Sequence, residues 1–144
     1  MSRVELFART YYSFLEGASR PEEMVDRAHE LGLEALGICD RNGVYGVPKA
    51  YWARKQLLSN QGAAPKLLVG AESMMEGLPS LRWMAQTRRG YGLLCRLLTR
   101  THEGHAKGEG RLVWADAVAL LERYPEAAQE LLVFPTVDLR GEVS

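Results

Sequence analysis

Four charged residues, each standing where an apolar run ends, are the part of this sequence best placed to do chemistry. Arg9 follows the run 4–8, Asp40 and Arg41 follow 35–39, and Glu72 follows 66–70. Carboxylates hold cations or carry protons, and guanidiniums hold anions. If the runs are strands of a barrel, their C-terminal ends converge on one face, where such groups would meet. Taken singly, each is equally the start of a solvated loop. The series carries more weight than its members. The stretch 37–46, in which an apolar run stops at Asp40 and a turn-forming Arg41-Asn42-Gly43 follows, reads as a strand emptying into a loop,.

Other residues invite a chemical reading and favour a plainer one. His102-Glu103-Gly104-His105 holds metal-ligand types, but the internal glycine and the lack of a helical i, i+4 histidine pair favour a solvated loop,. Tyr11, Tyr12 and Phe14 form a candidate platform for stacking bases. With Arg9 as the nearby basic residue, packing of the loop onto its scaffold is preferred. Arg88 and Arg89 read as a solvated turn, and His29 as a helix-surface residue. Cys39 and Cys95 lie in apolar segments and read as buried thiols. There is no phosphate-cradling glycine loop and no nucleophile elbow,.

The elements that must position the strand-end series alternate regularly. Strand 4–8 is followed by a helix announced by Ser19 as cap, Pro21 in the first turn, and Glu22 and Glu23 at the positive end of the dipole,. Met24, Ala28 and Leu31 share one of its faces, and Gly32 stops it,. Strand 35–39, helix 47–58 and strand 66–70 come next. Strand 81–85, helix 90–100 with Leu93, Leu94, Leu97 and Leu98 on one face, helix 114–124 and strand 131–134 complete the chain,. Arg96 and Arg100 are expected in solvent. Strand-helix alternation predicts an α/β fold with parallel strands and right-handed crossovers.

Bulk properties narrow the class. The chain has 144 residues, 47% hydrophobic and 25% charged, the size and composition of one globular domain,. No apolar run approaches the roughly 20 residues that span a bilayer, and the N-terminus lacks an apolar signal core, so a cytoplasmic protein is expected. Lys plus Arg equals Asp plus Glu, 18 each, which excludes a dedicated nucleic-acid binder by charge alone,. Any such contact has to be local.

Several blocks, in order, resemble the N-terminal polymerase and histidinol phosphatase (PHP) domain of C-family bacterial DNA polymerase III alpha subunits. Tyr12-Ser13-Phe14-Leu15-Glu16-Gly17-Ala18 resembles the family's Tyr-Ser-x-Leu-Asp-Gly-Ala, and Asp40-Arg41-Asn42-Gly43-Val44-Tyr45-Gly46 its Thr-Asp-His-x-Gly-x-Tyr-Gly turn. Gly70-Ala71-Glu72 matches its Gly-x-Glu. Gly90-Tyr91-Gly92-Leu93-Leu94-Cys95-Arg96-Leu97-Leu98-Thr99 matches a family helix, and Lys107-Gly108-Glu109 and Leu139-Arg140-Gly141-Glu142-Val143 also fit. The likeness is strongest to the error-prone, damage-associated type, and it implies a role in DNA replication, repair and translesion synthesis. It further implies a (β/α) barrel of which this chain is about half, since a full barrel takes on the order of 250 residues.

The resemblance also implies a cluster of divalent metals at the strand ends, used for phosphoester hydrolysis in some members. The positions that should carry its His-x-His are Phe7 and Arg9, and the histidine after Asp40 is Arg41. Asp40 and Glu72 alone are preserved in this first half. Arginine offers no lone pair and stays protonated. No cofactor is therefore expected, and the reading is a degenerate, non-catalytic domain with a scaffold or protein-binding role, Arg9 and Arg41 pairing with Asp40 and Glu72. Expected partners are the polymerase core or other replication and repair proteins. Self-association is also expected, through strand edges left open by a half barrel. One alternative is a residual phosphoesterase or 3′–5′ exonuclease using zinc, manganese or magnesium at Asp40 and Glu72. A weaker one is an anion or single-stranded nucleic-acid site lined by Arg9 and Arg41.

Overall fold

A computed structural model describes residues 2–13 and 17–136. Phe14 and the block 139–143 lie outside the described residues. The chain divides into two compact units, Met1–Asp40 with Val44–Val69, and Arg41–Gly43 with Gly70–Ser144.

The first unit contains β1 (Val4–Ala8), α1 (Pro21–Glu30), β2 (Ala35–Arg41, up to Asp40), α2 (Val47–Gln61) and the first half of β3 (Lys66–Ser73). Strand order follows chain order, β1-β2-β3, and β1 pairs with β2 in parallel, Val4 opposite Ala35 and Ala8 opposite Ile38. The register shifts between Glu5 and Ala8. β2 is buried from Ala35 to Asp40, the signature of a strand covered on both faces,. Its Leu36 and Ile38 pack on Val25 and Ala28 of α1 and on Ala50 and Ala53 of α2. Alanine at three of these helical positions lets the backbones come close. Gly37 does the same for the strands: a Cβ there would lie 2.2 Å from the Leu6 carbonyl oxygen.

The start of α1 differs from expectation. The N-cap is Arg20, not Ser19, and its N–H is taken by the Glu23 carboxylate at 3.2 Å. A carboxylate three residues into the helix takes the N-cap's own N–H, the reciprocal of the bond that a capping hydroxyl makes to the first turn,.

The second unit contains the rest of β3, then β4 (Leu81–Ala85), α3 (Arg88–His102), α4 (Trp114–Arg123), a short α5 (Pro125–Ala128) and β5 (Leu131–Pro135). Leu93, Leu94, Leu97 and Leu98 are buried as their spacing predicts, alongside Trp83, Leu112, Ala117 and Ala127. The Trp83 indole N–H donates to the Ser73 hydroxyl at 3.0 Å. β4 and β5 pair antiparallel, Leu81 opposite Pro135 and Ala85 opposite Leu131, whereas parallel strands were expected throughout. The reason lies in the connection. One helix between strands returns the chain to the end where it began, but here α3 leads away and α4 and α5 lead back, so β5 starts beside the end of β4.

That junction is closed by charge. Gln86 N–H donates to the Glu130 carbonyl at 2.9 Å, and Gly90 comes so near that a Cβ would lie 2.2 Å from the same oxygen. Thr87 caps α3, accepting from Gly90 N–H at 3.1 Å, so the helix begins two residues earlier than its leucine pattern shows. Thr87 also donates to Glu130 at 2.6 Å, while Arg89 grips the same carboxylate through Nε at 2.9 Å and Nη2 at 2.6 Å. Arg89 is thus a clamp and not a solvated turn residue. Arg96 lies over the Tyr124 ring at 4.6 Å, and Arg100 pairs with Glu103 and Asp116, so neither is simply solvated.

The Arg89 guanidinium and then the Thr87 hydroxyl hold the Glu130 carboxyl down at about 2. A depressed folded-state value means the contribution is present above the unfolded carboxylate range near ~4.3 and is lost as pH falls toward the folded value. Glu130→Gln is expected to lower the thermal unfolding midpoint at pH 7. Its difference from the parent protein should shrink as pH drops from about 4 toward 2, as calorimetry across that range would read.

Candidate functional site

In the first unit the parallel register of β1 and β2 carries Thr10, just past β1, level with Asp40 near the end of β2. Asp40 is 1% exposed, and its carboxylate is met by three donors from one turn. Oδ1 accepts from Thr10 N–H at 2.7 Å and from the Ser13 hydroxyl at 2.6 Å, and Oδ2 accepts from the Thr10 hydroxyl at 2.7 Å. Thr10 and Ser13 are themselves buried. Their turn is tightened by Ser13 N–H on the Thr10 carbonyl at 3.0 Å and Tyr12 N–H on the Thr10 hydroxyl at 3.2 Å. Gly46 closes the space: a Cβ there would lie 3.2 Å from Asp40 Oδ2 and 3.1 Å from the Thr10 hydroxyl. A carboxylate offers about four lone-pair sites, and this turn fills three of Asp40's. Phe7, within β1, and Arg9, just after it, are half-buried.

In the second unit Glu72 is 5% exposed and its Oε1 accepts from the Ser80 hydroxyl. Ser80 is linked in turn to the Thr136 hydroxyl at 3.0 Å, and that hydroxyl donates to the Ser80 carbonyl at 2.8 Å. Arg41 is half-buried beside this strand end. It is followed by Asn42, whose φ of 53° places it in the left-handed region. Asparagine tolerates that conformation, and here it earns four bonds. Its N–H donates to the Glu72 carbonyl at 2.7 Å, and its Oδ1 accepts from Met74 N–H at 2.9 Å. Its Nδ2 donates to the Gly110 carbonyl at 3.0 Å, and its own carbonyl accepts from His102 Nε2 at 2.6 Å. A carbonyl only accepts, so Nε2 carries the hydrogen.

The His102–His105 stretch does not close on itself. His102 is turned to Asn42, Glu103 is held by Arg100 at 2.5 Å, and His105 is exposed. Tyr11 and Tyr12 are 39% and 37% exposed, so the expected packing of this aromatic pair into the scaffold is not what the fold does with it. Cys39 is buried and Cys95 half-buried.

The residues at the positions that the resemblance marks for metal do not fit a metal cluster. Phe7, Arg9 and Arg41 have no donor atom for a cation, and the Asp40 carboxylate is already met by three hydrogens,. Among the described residues no three His, Cys, Asp or Glu side chains converge as a metal site. Sequence reasoning missed the partners that hold the two carboxylates: Thr10, Ser13, Ser80 and Thr136. Asn42 was legible only as a turn residue. Its Asn-Gly pairing was the available signal, since asparagine side chains bond backbone in turns.

Comparison with known proteins gives the class. The PHP domain model matches residues 5–144, and the chain belongs to the PHP domain family. The fold is accordingly α/β, part of a (β/α) barrel of the PHP type. Among characterised proteins it is similar to an error-prone DNA polymerase of Brucella abortus, 38% identical over 133 residues, 91% of this chain and 12% of the relative. It is also similar to an error-prone DNA polymerase of Anaeromyxobacter sp. strain K, 49% identical over 105 residues, 69% of this chain and 9% of the relative. The chain thus spans about an eighth or less of the length of these relatives. A solved amidohydrolase from Chromobacterium violaceum, with bound sulfate and no metal, shares the fold at TM-score 0.52 and 23% identity over 72% of this chain and 34% of that one. A protein from Bifidobacterium adolescentis named as a metal-dependent phosphoesterase does so at TM-score 0.51 and 20% identity, over 69% and 33%. Among the described residues no helix is long and apolar enough to cross a membrane.

Removing a carboxylate that takes three buried hydrogen bonds costs about 1–3 kcal/mol for each buried donor left unsatisfied. Asp40→Ala is expected to destabilise the protein by about 3 kcal/mol or more, measured by urea unfolding without added metal. A change below about 1 kcal/mol would show that the Thr10–Ser13 turn does not depend on it.

Proposed function

We propose that this chain is a degenerate, non-catalytic PHP domain serving a scaffold or protein-binding role in an error-prone DNA polymerase or its replication and repair assembly. The observation that carries the reading is the chemistry of the five positions Phe7, Arg9, Asp40, Arg41 and Glu72. Three have no metal-donor atom, and both carboxylates accept hydrogen bonds from neighbouring hydroxyls. In this reading the guanidiniums of Arg9, in the first unit, and Arg41, in the second, supply fixed positive charge in place of metal ions. Such charge is retained for geometry more than for stability, because desolvation offsets much of the Coulomb gain. The protein works in the cytoplasm, and its partners are the polymerase core or associated replication proteins. Contact with a second copy is available through the exposed Val4 and Leu6 of β1 or Leu132 and Val133 of β5.

The experiment pairs metal analysis with a hydrolysis assay on the same preparation. Purified protein is expected to carry substoichiometric zinc and manganese and to leave a model phosphodiester intact when manganese is added. Manganese-dependent turnover that disappears in Glu72→Ala would instead assign residual phosphoesterase activity and sink the non-catalytic reading.

A further inference from the structure

α2 is an unusual helix. It buries Ala50 and Ala53, yet it exposes Tyr51 and Trp52 at 52% and 59%, and Tyr45 just ahead of it stands 60% exposed. Large aromatics left in water along one helix of a soluble domain call for a ligand. These have cations beside them. Lys49 Nζ lies 5.6 Å from the Tyr11 ring centre and 5.5 Å from that of Tyr12, and donates to the Tyr11 hydroxyl at 2.9 Å. Lys55 lies 5.1 Å from the Trp52 ring. Tyr11 and Tyr12 meet edge to face at 4.7 Å, and Tyr12 and Tyr45 stand 6.1 Å apart, tilted by 37°. All belong to the first unit.

Charge selects among ligands. Residues 44–69 carry four Lys or Arg and no Asp or Glu, although the whole chain is neutral. Five acidic residues of this unit lie on or just after α1, and its Glu22 and Asp26 line, together with Lys49 and Trp52, a groove of about 380 Å³. A polyanion would therefore be held on the α2 side and turned away from α1. Exposed rings with cations at their edges are what a single-stranded nucleic acid needs, since each base has a face to stack and each link a phosphate to neutralise.

We propose that Tyr11, Tyr12, Tyr45, Lys49, Trp52 and Lys55 form a binding surface for single-stranded nucleic acid. Bases stack on Tyr12, Tyr45 and Trp52, and phosphates are taken by Lys49 and Lys55. None of these residues belongs to the strand-end positions on which the non-catalytic reading rests, so either can fail without the other.

The test is titration of the full chain with a fluorescently labelled oligothymidylate in EDTA, read by anisotropy and by tryptophan fluorescence at several salt concentrations. Trp83 is buried, and Trp52→Phe isolates the signal of Trp52 from that of the exposed Trp114. Binding should quench Trp52 and weaken with salt. Tyr12→Ala and Tyr45→Ala should each lower affinity about tenfold, and Lys49→Ala should reduce the slope of log affinity against log salt by about 0.7. An abasic strand of the same length should bind at least about tenfold more weakly than the oligothymidylate, because it has no bases to stack. These substitutions are at exposed positions, and circular dichroism would verify the fold of each. No binding at low salt would overturn the proposal, as would equal affinity for the abasic strand or full affinity in the tyrosine variants. Self-association abolished by Trp52→Ala, without oligonucleotide binding, would give the face to protein and also overturn it.

Discussion

A carboxyl group sealed from water has to find hydrogen-bond donors in its surroundings, and the turn after β1 is built to supply them to Asp40. Three donors from Thr10 and Ser13 converge on it within 2.7 Å. The dependence runs both ways. The turn needs an acceptor for two buried hydroxyls and a backbone N–H, and the end of β2 needs partners for a buried carboxyl group. Gly46 leaves no room for a side chain between them. The Asp40 carboxylate thereby holds the chain itself together.

A second buried carboxylate, Glu72, accepts from the Ser80 hydroxyl, which is linked in turn to that of Thr136. Beside it, Asn42 replaces several weak constraints with one strong one. By adopting the left-handed conformation it presents both ends of its amide and both of its backbone groups to four different partners, and so fixes the ends of β3 and α3 and the Gly110 loop. A buried polar hub of this kind is stable only when fully satisfied, which makes it intolerant of change and independent of any ion.

Much of the fold was legible in the sequence because it rests on local periodicity. β1 and β4 have the limits their apolar runs predict, and the leucines of α3 are buried as their spacing requires. Other features depend on residues distant in sequence and were not legible. The antiparallel pairing of β4 and β5 follows from the number of helices between them. The clamp of Arg89 on Glu130 joins residues 41 apart, and nothing in the dipeptide Arg88-Arg89 distinguishes it from a solvated turn.

The candidate site divides along the same line. By itself the sequence determined the chemical inventory: arginines and a phenylalanine where the family resemblance calls for histidines, and carboxylates at 40 and 72. Those are properties of residue types, fixed whatever the chain does. Only the tertiary structure decided which groups are satisfied and which are left facing water. Asp40 looks free to act until Thr10 and Ser13 are seen around it, and Tyr11 and Tyr12 look like packing until their rings are found exposed beside Lys49. Burial and hydrogen bonding arise between segments, and no window along the chain contains both partners.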